Sequence, residues 1–326
     1  MTLDNTPESI KSRLPKTASV HCILAVSLLL DRAPFVTEWK KAMPAPKDIF
    51  NSMPIAWDVD MSSRLPRGAI AALDRQRTKF SRDLASAQVG FPEITREDFL
   101  YSWLLVNTRS FHHATTATKN RPSKDQMILQ PVADLFNHEP SGGCRVVFDK
   151  SCFSATVDRS YAAGEEVTFC YGSHSNDTLL VEYGFVADNN KWDEVVMDDA
   201  IVPRLSDEQI TWLEEFGMFG HYCIDNESAC YRIEAAIRAT FLTRPQWTAF
   251  ARGEDDGQDS RVLADGVLKT VIVDYDSHVQ ATMASLSKLG LIKRHPLFQR
   301  WSQVALILQS ARLRLVPYQK DIEMPT

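Results

Sequence analysis

Between Asp134 and Phe185 the chain gathers most of the side chains that could do chemistry. They are Asn137 and His138 in DLFNH, Glu165 and Glu166 in GEE, Cys170, Tyr171, His174, Ser175 and Asn176, and Tyr183 with Phe185 in YGF. Type and spacing exclude several reactions. No serine or cysteine stands in a Gly-x-Ser-x-Gly elbow, so a nucleophilic triad has no support. Cys144, Cys152, Cys170, His138 and His174 match no common ligand spacing, and alternation along strands turns them to different faces, so no metal centre is expected. Glu165 and Glu166 follow Ala-Gly at the start of a strand, a place for solvated turn carboxylates more often than for an acid/base pair. Amide, imidazole and phenol groups remain. Asn137-His138 alone reads most simply as a structural turn, and Tyr183 and Phe185 alone read equally as core packing.

The elements that must position these groups are short. CRVVF from Cys144, FSATV from Phe153 and EVTFCY ending at Tyr171 read as three small strands, with turns at Asp149 to Ser151 and Ala162 to Gly164. Ser175 or Asn176 can cap a two-turn helix through Tyr183, and Gly184 sits where a left-handed C-terminal cap is wanted. Upstream, VHCILAVSLLL at 20 to 30 is apolar nearly all round, the mark of a buried helix. Residues 69 to 87, and a helix opened by Thr95 and Asp98, are amphipathic. The stretch 114 to 124 reads as an exposed loop. Beyond Trp192 helical periodicity dominates, at 206 to 216, 228 to 242, 261 to 289 and 297 to 315.

With 326 residues, 44% of them hydrophobic, the chain can build two cores. A net charge of -6 and scattered Lys and Arg give no basic stripe, so no nucleic-acid partner is expected. The longest apolar run, Cys22 to Leu30, is far short of the roughly 20 residues that span a bilayer, and no membrane partner is expected. Cysteines without a Cys-x-x-Cys pair and no signal-peptide pattern point to a reducing, cytoplasmic or nuclear setting.

Taken in order, DLFNH (134–138), GEE (164–166), Tyr171-Gly172, Ser175-Asn176 and YGF (183–185) resemble the SET-domain protein lysine methyltransferases of the Rubisco large-subunit methyltransferase type. Arg109, in NTRSF, matches an upstream arginine of that family's cofactor site. The resemblance implies an α+β fold: a small SET-like β-sheet core with a helical insert at about 18–105, within a domain over 1–195. An all-helical substrate-binding-like domain over 196–326 follows. The Gly-x-Gly turn that opens a SET core has no counterpart before Gly68, the first glycine, so the sheet is expected to be incomplete.

The implied activity is S-adenosyl-L-methionine-dependent protein-lysine N-methylation of a non-histone protein, bound through the helical C-terminal domain. Tyr171 takes the catalytic role, Asn137, His138, Arg109 and Phe185 the cofactor, and Tyr183 the lysine channel. Tyrosines suit such a site because a ring wall excludes water and favours the neutral amine, while a phenol oxygen orients it. The alternative, from a different class, is a catalytically inactive SET-derived interaction module or a truncated gene product.

Overall fold

Residues 1–148, 153–291 and 294–315 are described by the computed structural model. The chain divides into two units, the first made of Met1–Ser63, Ala69–His174 and Thr178–Asn190, the second of Arg64–Gly68, Ser175–Asp177 and Lys191–Thr326.

In the first unit, the expected buried helix forms over Val20–Leu30, where the Ser19 side chain accepts from the Cys22 N–H. It packs on the helix Arg96–Arg109, which Thr95 caps by accepting from the Asp98 N–H. A third helix, Arg67–Gly90, sends the buried Asp83 to accept from Ser19 Oγ at 2.9 Å and Trp103 Nε1 at 3.0 Å. His21 stacks on Trp103 with ring centroids 4.4 Å apart. Polar groups withdrawn from water must be paired, so this cluster fixes the mutual placement of three helices as apolar packing alone does not.

Directly after Arg109 the chain enters β1 (Ser110–His112), antiparallel to β2 (Met127–Leu129). Next, β3 (Arg145–Phe148) pairs antiparallel with β4 (Phe153–Thr156), as CRVVF and FSATV foretell. The turn expected at Asp149 to Ser151 lies outside the described residues, as does Cys152. EVTFCY departs from expectation, because it forms an isolated parallel bridge, His138 with Phe169, and no ladder strand. Phe169 N–H donates to Asn137 O, Glu139 N–H to Phe169 O and Cys144 N–H to Thr168 O. These bonds go to two different segments, so no continuous pairing along one neighbour develops.

The helix Asn176–Tyr183 ends on Gly184, whose φ of 82° and N–H bond to Leu180 O make the expected left-handed cap. A Cβ there would stand 2.7 Å from Ser52 Oγ and 2.9 Å from Met53 Sδ. Gly184→Ala combines left-handed strain with overpacking and is expected to destabilise the first unit by about 2 kcal/mol. The measurement is the urea midpoint at unchanged slope, and an unmoved midpoint would count against the packing seen here.

The second unit is helical, as expected, with Asp207–Glu215, Tyr231–Ala239, Arg244–Ala251 and the long helices Arg261–Lys288 and Pro296–Arg314. The architecture is therefore α+β, small sheets followed by long helices. Arg244–Ala251 was not foreseen, although Thr243 and Gln246 form a capping box at its start. The unit also contains an antiparallel pair, β5 (Glu194–Val196) with β6 (Cys223–Asp225). Three-residue strands are too short to show a period. No single helix among the described residues is long and apolar enough to cross a membrane.

Candidate active site

Every residue given a catalytic, cofactor or lysine-channel role from the sequence lies in the first unit, and four of them share one aromatic cluster. The Tyr171 ring stands 5.1 Å from Tyr183, 5.1 Å from His138 and 6.4 Å from Phe185, centroid to centroid. His138 and Phe185 are 6.0 Å apart. The parallel bridge between His138 and Phe169 brings DLFNH beside the end of EVTFCY, and the helix Asn176–Tyr183 delivers YGF from its C-terminus.

Hydrogen bonds fix the rings. Tyr171 Oη donates to Phe136 O at 2.6 Å, and the Tyr171 N–H donates to His138 Nδ1 at 3.0 Å. Because Nδ1 accepts, the proton of the neutral imidazole belongs on Nε2. Burial lowers the His138 pKa, with His174 adding to the effect, so the neutral ring is favoured. Burial raises the Tyr171 phenol above its ordinary value, opposed by Arg109, and pushes Tyr183 up to about 12. Both phenols therefore stay protonated at neutral pH.

Arg109 closes the C-terminus of its helix and donates from Nη1 to Asp134 O at 2.6 Å. Asp134 also accepts from Trp39 Nε1 at 3.0 Å. Burial raises its pKa, against Arg109 and the Trp39 bond. Among the described residues, Arg109 Nε, Asp134 Oδ1 and His138 Nε2 are buried without a hydrogen-bond partner. Such orphaned atoms are costly in a folded protein.

Two cavities, of about 200 and 290 Å³, share Thr108, Arg109, Asp134, Tyr171 and Tyr183 in their walls. The first continues along Phe111, Phe136 and Phe169, and the second along Asn137 and Phe185. Two spaces that share aromatic and charged walls suit a reaction that brings two molecules together.

The exposed Asn137 amide donates to Glu166 Oε1 at 2.6 Å, and Glu166 is exposed, as expected of a solvated turn carboxylate. Glu165 accepts from the Ala162 N–H and pairs with Arg159. Ser175-Asn176 falls in the second unit, where buried Asn176 bonds Asp193 and Gln303. Asp134 received no role in the sequence reading. Its place at the head of DLFNH was the available signal, but burial beside an arginine becomes visible only in the fold.

No family model matches the chain. A search of curated proteins finds the ribosomal lysine N-methyltransferase set11 of Schizosaccharomyces pombe, 28% identical over 184 residues, 56% of this chain and 44% of that protein. SET domain-containing protein 4 of Mus musculus is 25% identical over 296 residues, covering 82% and 66%. The chain thus spans between under half and about two thirds of the length of these relatives. Among solved structures, the SET domain of LSMT bound to methyllysine and AdoHcy aligns with a TM-score of 0.54 at 15% identity, covering 96% of this chain and 80% of that one. Rubisco LSMT bound to sinefungin and monomethyllysine gives 0.53 at 14%, covering 98% and 82%. The two units together therefore carry a SET-domain fold related to that of the Rubisco large-subunit methyltransferase superfamily, at low sequence identity.

Proposed function

We propose that the chain acts as an S-adenosyl-L-methionine-dependent protein-lysine N-methyltransferase on a non-histone protein. The observation that carries this reading is that Tyr171, Tyr183, Arg109 and Asp134 wall two cavities in common, with Phe185 and His138 in the same ring cluster. Relatives named as ribosomal lysine N-methyltransferases support a protein lysine outside histones as the target.

The cofactor, when bound, supplies an electrophilic methyl group on a sulfonium. Arg109 and Asp134, which line both cavities, would hold its carboxylate and its ammonium, and His138, beside Tyr171, a further polar group. Asn137 and Phe185 complete that wall. Tyr171, Tyr183 and Phe185 exclude water from an entering lysine, which lowers the amine pKa and favours the nucleophilic form. Both phenols are protonated, so they orient by hydrogen bonding and do not act as bases. The helical second unit is the surface assigned to the protein substrate.

Calorimetric titration of the full chain with S-adenosyl-L-methionine is expected to show saturable one-to-one binding. Arg109→Ala and His138→Ala are each expected to weaken it at least about tenfold, the cost of losing a charged or buried hydrogen bond. Heat of binding absent from a chain that still melts cooperatively would sink the enzyme reading in favour of an interaction module.

A further inference from the structure

Away from the aromatic site, the second unit brings together side chains that are scattered in sequence. The β5–β6 register pairs Val196 with Cys223 and Glu194 with Asp225, which places Glu194 and Cys223 diagonally on one face. Glu194, His221 and Cys223 offer ligand atoms that all lie within 4.8 Å of one another. Cys223 Sγ is 3.7 Å from His221 Nδ1. A zinc ion with Zn–S of about 2.3 Å and Zn–N of about 2.05 Å separates two tetrahedral ligands by about 3.6 Å. The observed pair already has that spacing.

Cys230 lies beside Cys223. The antiparallel bridge between Ile224 and Ala229, extended by one residue, sets Cys230 opposite Cys223, and the Cys230 N–H donates to Cys223 O at 2.9 Å. Both thiols reach toward the same atom, His221 O, from 3.6 and 3.9 Å. The His221 backbone is held in the left-handed region, φ 56°, while Asp198 accepts from the N–H groups of His221 and Tyr222. A non-glycine residue rarely adopts this conformation, and here it accompanies an imidazole aimed at the Cys223 thiol.

We propose that Glu194, His221 and Cys223 form a three-ligand binding site for zinc, with a solvent oxygen as the fourth ligand. A thiolate, an imidazole and a carboxylate are the borderline-soft set that selects this ion over magnesium or calcium. Binding releases the Cys223 thiol proton to solvent, and the ion ties β5 to β6 and the residues before it. Cys223 is buried while His221 is exposed, which gives the ion a path in. The sequence pattern hid this set because its members come from two segments well separated along the chain.

The full chain, stripped with a chelator and kept reduced, is titrated first with cobalt(II) and then with zinc(II). One equivalent of cobalt is expected to give intense tetrahedral d–d absorption with a sulfur-to-cobalt charge-transfer band, both removed by one equivalent of zinc. Cys223→Ser is expected to lower affinity by more than the roughly hundredfold loss that changes around metal ligands produce, and to remove the charge-transfer band. His221→Asn keeps a residue that tolerates the left-handed backbone, so it tests the imidazole without strain, and the same loss of affinity is expected. Cys170→Ser removes an exposed thiol elsewhere and is expected to leave binding intact. Absence of the sulfur band, its persistence in Cys223→Ser, or its loss in Cys170→Ser would overturn the proposal.

Discussion

Arg300→Met is expected to destabilise the second unit by about 3–5 kcal/mol, the cost of leaving buried carboxylates without their cation. Arg300 is fully buried on the helix Pro296–Arg314. Its Nε donates to Asp177 Oδ1, Nη1 to Asp193 Oδ2 and Nη2 to Glu194 O, each at 2.7 Å. Burial alone would favour losing the proton, but the two carboxylates outweigh it and raise the pKa above the ordinary arginine value. Asp193 in turn accepts from the Asn176 N–H and the Asn176 side chain, so the guanidinium sits at the centre of a satisfied network. Methionine matches the length of the stem but supplies none of the three donors. Arg300→Lys keeps the charge and is expected to lose less, because one ammonium cannot reproduce a planar fork aimed at three acceptors. The check is the midpoint of urea unfolding followed by tryptophan fluorescence. Equal stability of Arg300→Met and the parent chain would show that the network is replaceable by apolar packing.

That network also shows where reading the sequence stops. The helix Pro296–Arg314 was legible from its period, and so was the helix ending on Gly184, because caps and periodicity are local signals. Arg300, Asp177 and Asp193 are ordinary charged residues in the sequence, and their pairing depends on contacts between residues more than a hundred positions apart in sequence. The same holds in the site. Tyr171, Tyr183, His138 and Phe185 were found through motifs, and the fold brings them into one ring cluster. Asp134 was overlooked although it heads DLFNH, since an aspartate declares its importance only when burial and Arg109 surround it. EVTFCY alternates like a strand, yet Thr168 and Phe169 bond to two segments, and alternation reports facing without reporting partners. Glu166 is exposed, as its turn context implies, while its bond to Asn137 spans a gap that no local pattern reports.

Tyr171→Phe is expected to reduce methyl transfer to a protein lysine by about a hundred- to a thousandfold, the effect of removing one preorganised hydroxyl dipole from a water-poor site. The ring remains, so its contacts with Tyr183, His138 and Phe185 are kept, and cofactor affinity is expected to change by no more than a few fold. The lost group is the hydroxyl that bonds Phe136 O at 2.6 Å. Since burial raises the Tyr171 pKa, the phenol is protonated at neutral pH and cannot take the lysine proton as a phenolate. Under the proposed function its contribution is to orient the amine and the transferring methyl, beside holding the Phe136 carbonyl in place. A merely structural role would instead lower stability by about 1 kcal/mol and leave turnover per folded molecule unchanged. Single-turnover rates at saturating cofactor, set beside the calorimetric affinity and the urea midpoint, separate the two. Unchanged turnover would remove Tyr171 from the chemistry and leave the aromatic cluster as packing around a binding site.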